Sequence, residues 1–435
     1  MAAHLHPVLT RAAMAVAICC ASSPALAQPL PGDAQPPPPP RDAPEPPGDE
    51  PKVQDIAPEE PEPPPRSEPP PRSEPQPEPA PPPKSAPTPS QRVHTMDELT
   101  IQQSLLRFGI NFFGDMSAQA RYPDRPRTVF ALGALGVRML GELGPSLDAL
   151  AELAFEKTAE GTIAEVEQLV LRWRRGPGEL IVGRFHTDIG YWNTAYHHGR
   201  WLHLTIERPR PVRFEDDGGL LPAHWIGAQY TLKRRVSGGD AALVLALGNG
   251  RGDVIDDVRV ADDTNEAKAG LAKVRWRRSG AELGLGFLYD LIAPAPAAVR
   301  PALPGERIHE LAGNAYAAVR GAGLVVIAEG YAFHHRAAGE SWTTFAGHGL
   351  LGVEVRPALT PYVAASVIRG ADDDPFFAPN PAVARPLDIL ELLGGIRLDT
   401  STWSALKLEL RFTHLTHDPD GDDDHAASLN WSFGL

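Results

Sequence analysis

The run Leu147-Asp148-Ala149-Leu150-Ala151-Glu152-Leu153-Ala154-Phe155-Glu156 decides how the rest of the chain is read. Successive side chains of a strand point to opposite faces, so Leu147, Ala149, Ala151, Leu153 and Phe155 share one face, and Asp148, Glu152 and Glu156 share the other. Strands of a soluble sandwich average about five or six residues, whereas a tilted strand crossing a bilayer needs about 9 to 11. A run this long predicts a transmembrane strand with its charged residues turned toward a water-filled lumen.

The same texture extends in both directions. Phe108, Ile110 and Phe112 alternate before it, as do Val129, Ala131, Leu135 and Val137. After it come Leu283-Leu285-Phe287-Tyr289-Leu291, flanked by Glu282 and Asp290, and Leu406-Leu408-Leu410-Phe412, interleaved with Lys407, Glu409 and Arg411. Leu429, Trp431, Phe433 and Leu435 close the chain in the same rhythm. Tight links such as Arg174–Pro177, Arg278–Gly280, Arg320–Gly321, Arg356–Pro357 and Thr400–Thr402 alternate with long ones at 250–266, 292–306, 370–386 and 417–425. Short turns on one rim and long loops on the other are the habit of a membrane barrel. Aromatics near strand ends (Trp173, Tyr191, Trp192, Trp225, Trp276, Tyr289, Trp342, Trp403 and Trp431) suit interfacial girdles when taken as a set.

Counting such runs tests the reading. If Trp201–Glu207 crossed the membrane there would be seventeen, with the termini on opposite sides. Treating 187–222 as one long external connection, the third, restores an even count of sixteen. The expected fold is all-β: a sixteen-stranded antiparallel transmembrane β-barrel over 92–435, preceded by a disordered Pro-rich tail.

The start of the chain fits export. His4, His6 and Arg11 precede the apolar run Ala12–Ala21, which is too short to span a bilayer, and Ala25-Leu26-Ala27 supplies a cleavage site. Residues 1–27 therefore read as a signal peptide; acylation of Cys19 or Cys20 is the weaker alternative, since neither follows the small residues such a site wants. Both cysteines lie in that segment, which leaves no thiolate for zinc and no disulfide. Residues 28–91 are dominated by Pro, Glu, Ala and Ser, with Pro36–Pro40 and a near repeat around Arg66-Ser67 and Arg72-Ser73. Such a segment buries too little apolar surface to order itself, so it reads as a disordered periplasmic tail: an envelope spacer or a solvated extension. The net charge of −14 argues against nucleic acid as a partner.

The acidic stretches Asp253–Asp257, Asp262-Asp263, Asp372–Asp374 and Asp418–Asp424 could bridge lipopolysaccharide through divalent cations. Asp418-Pro-Asp420-Gly-Asp422 has its Gly misplaced for a calcium loop and lacks the coordinating Glu, so it reads as a solvated loop. No cofactor and no metal ligand is assigned.

Leu180-Ile-Val-Gly183-Arg184-Phe185-His186-Thr187, Ile206-Glu207-Arg208-Pro209, Trp225-Ile-Gly227-Ala-Gln-Tyr230 and Ala246-Leu-Gly248-Asn249-Gly250 resemble, in order, landmarks of the phosphate-selective porin O and P family. The resemblance implies a sixteen-stranded outer-membrane channel, a possible homotrimer, whose third loop folds into the pore. His186-Thr187-Asp188-Ile189 stands where the family reads Lys and then Thr-Pro-Phe, and the chain ends in Leu435 without a terminal aromatic. The likeness therefore reaches the family and not the solute.

An in-folded loop selects by narrowing the channel and lining it with fixed charge. The candidate constriction comprises Arg184, His186, Asp188, His197, His198, Arg200, Arg208, Arg210, Arg213, Glu215 and Asp216. Its arginines would face Asp188, Glu215, Asp216 and Asp217 across the pore, and its histidines would add pH dependence. The plain alternative is that these arginines form salt bridges that fix the loop, and that Tyr191, Trp192, Tyr196 and Trp201 pack it to the wall. The expected function is passive diffusion of ions and small hydrophilic solutes across the outer membrane of a Gram-negative cell. Expected partners are membrane lipid and lipopolysaccharide, the permeating ions or solutes, and a periplasmic or cell-wall partner for the tail. Two alternatives stay open: a non-conducting structural or adhesive barrel, and an outer-membrane hydrolase, against which stand the missing G-x-S-x-G and HExxH motifs.

Overall fold

The computed structural model describes residues 108–122, 127–158, 161–197, 199–255, 266–378, 388–415 and 424–435. The signal peptide, the Pro-rich tail, His198 and most of the acidic stretches at 253–263 and 418–424 lie outside the described residues.

Sixteen strands follow one another: β1 (Phe108–Tyr122), β2 (Arg127–Gly144), β3 (Leu147–Thr158), β4 (Gly161–Arg175), β5 (Gly178–His186), β6 (His224–Val236), β7 (Gly239–Gly248) and β8 (Ala269–Arg278). Then come β9 (Ala281–Ile292), β10 (Ile308–Gly321), β11 (Leu324–Ala337), β12 (Glu340–Val353), β13 (Leu359–Arg369), β14 (Ile389–Ser401), β15 (Ser404–Leu415) and β16 (Asp424–Gly434). Each pairs antiparallel with its sequence neighbours, and β1 pairs with β16 from Phe113↔Gly434 to Tyr122↔His425, which closes the barrel. Sixteen strands and their parity agree with the sequence count.

Links from even to odd strands are tight. Ser237-Gly238, Ser279-Gly280 and Ala322-Gly323 all have positive φ at both positions, the backbone that lets two residues turn a twisted hairpin. The long connections, 187–223, 249–268, 293–307 and 370–388, all join odd to even strands and so share the other rim.

Burial is inverted relative to a soluble protein. Along β15, Leu406, Leu408, Leu410 and Phe412 are exposed while Lys407 and Glu409 are buried; the adjacent Leu408 and Glu409 differ as 53% and 2%. On β9, Leu283, Leu285, Phe287 and Tyr289 face out, whereas Glu282 and Asp290 face in. An apolar outer face of this extent is stable against lipid, not water. Large rings inside need room: Tyr316 lies over Gly284 and Tyr362 over Gly395, where a Cβ would come within about 2.5 Å of ring atoms.

The aromatic set divides. Trp173, Tyr289 and Trp403 are exposed near strand ends as girdle residues would be, but Tyr191, Trp192 and Trp225 are buried inside. Trp225 occupies an inward position of β6, and the other two belong to a connection packed against interior side chains.

Candidate functional site

β5 and β6 remain paired up to His186↔His224, so residues 187–223 leave and return at adjacent points on the long-loop rim. Between them the chain is neither strand nor long helix. It forms one helical turn, α1 (Trp192–Ala195), and two short 3-10 turns at Arg210–Val212 and Glu215–Asp217.

What orders this segment is the inward face of the wall. Glu329 on β11 accepts the backbone N–H groups of Tyr191 (2.6 Å) and Trp192 (3.2 Å). Gly190 just before them has φ of 78°, and a Cβ there would meet the Glu329 carboxylate, so glycine is needed for both conformation and space. Lys273 on β8 donates to Asp188 (2.6 Å) and to the Gly190 carbonyl (2.7 Å). Arg397 on β14 donates to the His203 carbonyl (2.8 Å). Lys407 on β15 reaches the carbonyls of Thr205 (2.8 Å) and Arg200. Glu409 on β15 accepts the Ile206 N–H (3.0 Å). Backbone that lacks ladder partners thus has charged side chains instead, satisfying the requirement that buried polar groups be paired.

Apolar residues fill the spaces between these ties. Trp192, Leu202, Leu204, Ile206, Val212, Leu220 and Leu221 are buried, and Trp201 sits against the backbone of Gly434 on β16. Burial and the cations Lys407, Arg200, Arg208 and Arg397 push His203 well below the usual imidazole range, so it is neutral. Burial alone would raise the Glu207 carboxyl, but Arg200, Arg411, Arg213 and Arg121 outweigh it and hold it at about 2.

The residues named from sequence fall in distinct settings. Arg184 belongs to the wall and pairs with Glu165 on β4 (3.2 Å). Asp188 is held by Lys273. Arg200 bridges Asp115 on β1 (2.8 Å) and Glu207 (3.1 Å), and Arg213 pairs with Glu391 on β14 (3.2 Å). Arg208 stacks 4.4 Å over Phe214 and donates to Asn193 Oδ1 (3.0 Å) and to the carbonyls of His197 and Val212. Arg210 opens the first 3-10 turn, and buried Glu215 accepts the Ala223 N–H (2.7 Å). Asp216 lies within the second turn and His198 outside the described residues. Arg200 and Arg213 thus reach the inward wall carboxylates Asp115 and Glu391, and Arg200 also pairs with Glu207 of the connection itself.

Sequence reasoning missed two groupings. Arg251, Glu310, His335 and Asp374 form a buried chain (3.1, 2.9 and 2.6 Å between successive partners) that ties two other long connections to β10 and β11. The second brings His186 and His197 together with Glu167 and His224, one donor atom from each lying within 4.8 Å of the rest. Its members are spread over β4, both strand ends and the connection, and no spacing motif announces it.

No family model and no curated protein matches the sequence. Among solved structures, the anion-selective porin from Comamonas acidovorans aligns over 75% of this chain and 100% of its own, at TM-score 0.53 and 12% identity. The outer membrane channel DcaP of Acinetobacter baumannii aligns over 75% of this chain and 97% of its own, at TM-score 0.52 and 10% identity. OmpF of Salmonella typhi, in complex with daunomycin, has the same coverages and identity at TM-score 0.51. At such identities the likeness is one of fold, and the fold is that of outer-membrane porins.

Proposed function

We propose that the protein is an outer-membrane channel for ions and small hydrophilic solutes, and that residues 187–222 lie in its pore and narrow it. The observation that carries this reading is the set of ties from one connection to inward side chains on β1, β8, β11, β14 and β15, strands spread around a closed barrel whose outer face is apolar. Because Arg184, Arg200 and Arg213 are matched by carboxylates, the expected selectivity is weak, and no phosphate preference follows from the resemblance. The start of β1 and the end of β16 share the rim of tight links, which supports a periplasmic origin for both ends. In this reading 1–27 direct export and 28–91 form a periplasmic tail.

Planar-bilayer recording tests it. The wild type should insert and conduct. Arg200 keeps 30% of its side chain exposed, so Arg200→Ala should move the reversal potential in a salt gradient toward cation preference. Insertion without current would favour the non-conducting barrel; that alternative is supported by buried Phe376 and Phe377, which bring a further connection against His335.

A further inference from the structure

We propose that Glu167, His186, His197 and His224 form a binding site for a divalent transition-metal cation of the zinc class. Three features of local structure bring the donors together. His186 ends β5 and His224 begins β6, and the two are direct partners across the sheet. In β4 the register passes from Glu152↔Gln168 to Leu153↔Val166, so Glu167 is the extra residue of a β-bulge. A bulge re-aims a side chain, and this one places Glu167 on the inner side between outward Val166 and Leu169. His197 arrives from the connection two residues after α1.

The distances suit a small cation. Glu167 Oε2 lies 2.7 Å from His224 Nε2, and His197 Nε2 lies 3.0 Å from the same atom. Donors bound tetrahedrally at zinc distances stand about 3.4 Å apart. The closest pairs therefore need to open by less than an ångström, and every other pair, lying within 4.8 Å, to close by no more than about 1.4 Å.

The hydrogen-bond network fixes which nitrogen of His197 is available. Asn193 Nδ2 donates to the Thr187 carbonyl (2.8 Å), while its Oδ1 accepts from Arg208 (3.0 Å), which sets the amide's orientation. The same Oδ1 is 2.9 Å from His197 Nδ1, so Nδ1 carries the proton and Nε2 presents its lone pair to the cluster. A metal-binding imidazole characteristically donates its other N–H to an oxygen in this way. His197 Nε2 and the Glu167 carboxylate both crowd His224 Nε2, at 3.0 and 2.7 Å, and a cation among them would draw on all three. Three imidazole nitrogens beside a single carboxylate favour zinc-class ions over calcium or magnesium, which take oxygen donors. Phe214, edge-on to His197 at 5.3 Å and stacked on His224 at 6.2 Å, provides an apolar side to the site. Arg208 brings opposing positive charge, bonded to the orienting Asn193. The ion would join the wall to both ends and the middle of the connection.

The test uses the chain folded in detergent micelles, stripped with chelator and titrated with Zn²⁺ and then Co²⁺. One tightly held ion per chain is expected, with cobalt giving the intense visible bands of a tetrahedral nitrogen and oxygen site. His197→Ala, which leaves the wall intact, should weaken Zn²⁺ binding at least 100-fold, and Asn193→Ala by about 10- to 100-fold through loss of orientation. Heat-modifiable gel mobility reports independently that each variant has a folded barrel. A folded wild type that holds no ion overturns the proposal, as does binding unchanged in His197→Ala. Because binding is measured without current, the result stands apart from whether the barrel conducts.

Discussion

The barrel wall and the connection 187–223 use the same charged residues under opposite rules. In the wall, Lys407 and Glu409 face inward because strand period places them there, and their backbone is already satisfied by the ladder. In the connection no ladder exists, so the backbone is held in place by those wall side chains. The wall therefore folds by its own pattern, and the connection folds by borrowing. The two should come apart under perturbations that touch only one of them.

Asp188→Ala should have the largest effect. It leaves Lys273, fully buried, without its carboxylate, and stripping one partner from a buried pair costs about 3–5 kcal/mol. The cost should fall on the connection alone. Limited proteolysis is expected to cut within 187–223 while the barrel keeps its thermal transition; joint unfolding of both would show that wall and connection are one cooperative unit. Leu408→Arg is the converse experiment. It sets a charge on the lipid face of β15 and should destabilise the barrel by about 2–4 kcal/mol in denaturant titrations from vesicles, with protease protection of 187–223 unchanged in the folded fraction.

The contrast also explains what could be read from the sequence. The lipid face was legible because each leucine of Leu406-Leu408-Leu410 signals its side by period alone, and parity then required 187–222 to be a connection. Inward Glu282, Asp290, Lys407 and Glu409 were legible for the same reason. Their partners were not. Nothing near Asp188 indicates Lys273, 85 residues away, because that distance is set by barrel closure and not by local pattern. Tyr191, Trp192 and Trp225 could pass for girdle residues because an aromatic at a strand end looks alike from either side of the wall. Glu167 was hidden by its bulge, which breaks the period on which every other assignment relied.

Acid should undock the connection to a smaller degree. Glu207 is held at about 2 against an ordinary 4.5, so its contribution is complete above about pH 4.5 and is lost as pH falls toward 2. His203 is kept neutral, so its contribution is present above about pH 6.5 and weakens below that as the undocked form takes up a proton. Both act in one direction: docking weakens with acid. Side-chain exposure of 26% at Glu207 admits solvent screening, which reduces the effect. Amide exchange at Ile206, measured against amides of β15, should accelerate between pH 6.5 and 4 after correction for intrinsic rate. Equal change at both sites would place the titration in the wall.

The smallest effect is expected where the chemistry is most alike. Arg235 and Asp240 flank the Ser237-Gly238 turn and pair at 3.1 Å, nearly the separation of Arg213 and Glu391, but with 79% and 66% of their side chains exposed. Water already solvates both ions there, so Arg235→Ala should cost under about 1 kcal/mol and less at high salt. Arg213→Ala removes the nearer of two arginines, Arg411 being the other, from a carboxylate that is 2% exposed and should loosen the 3-10 turn at 210–212 from the wall. A double-mutant cycle at each pair, read by barrel stability for the first and by proteolysis of 187–223 for the second, separates pair geometry from setting. Equal coupling at the two sites would mean that the connection gains nothing from the low dielectric around it, and the idea that it is held by borrowed, buried charge would fail.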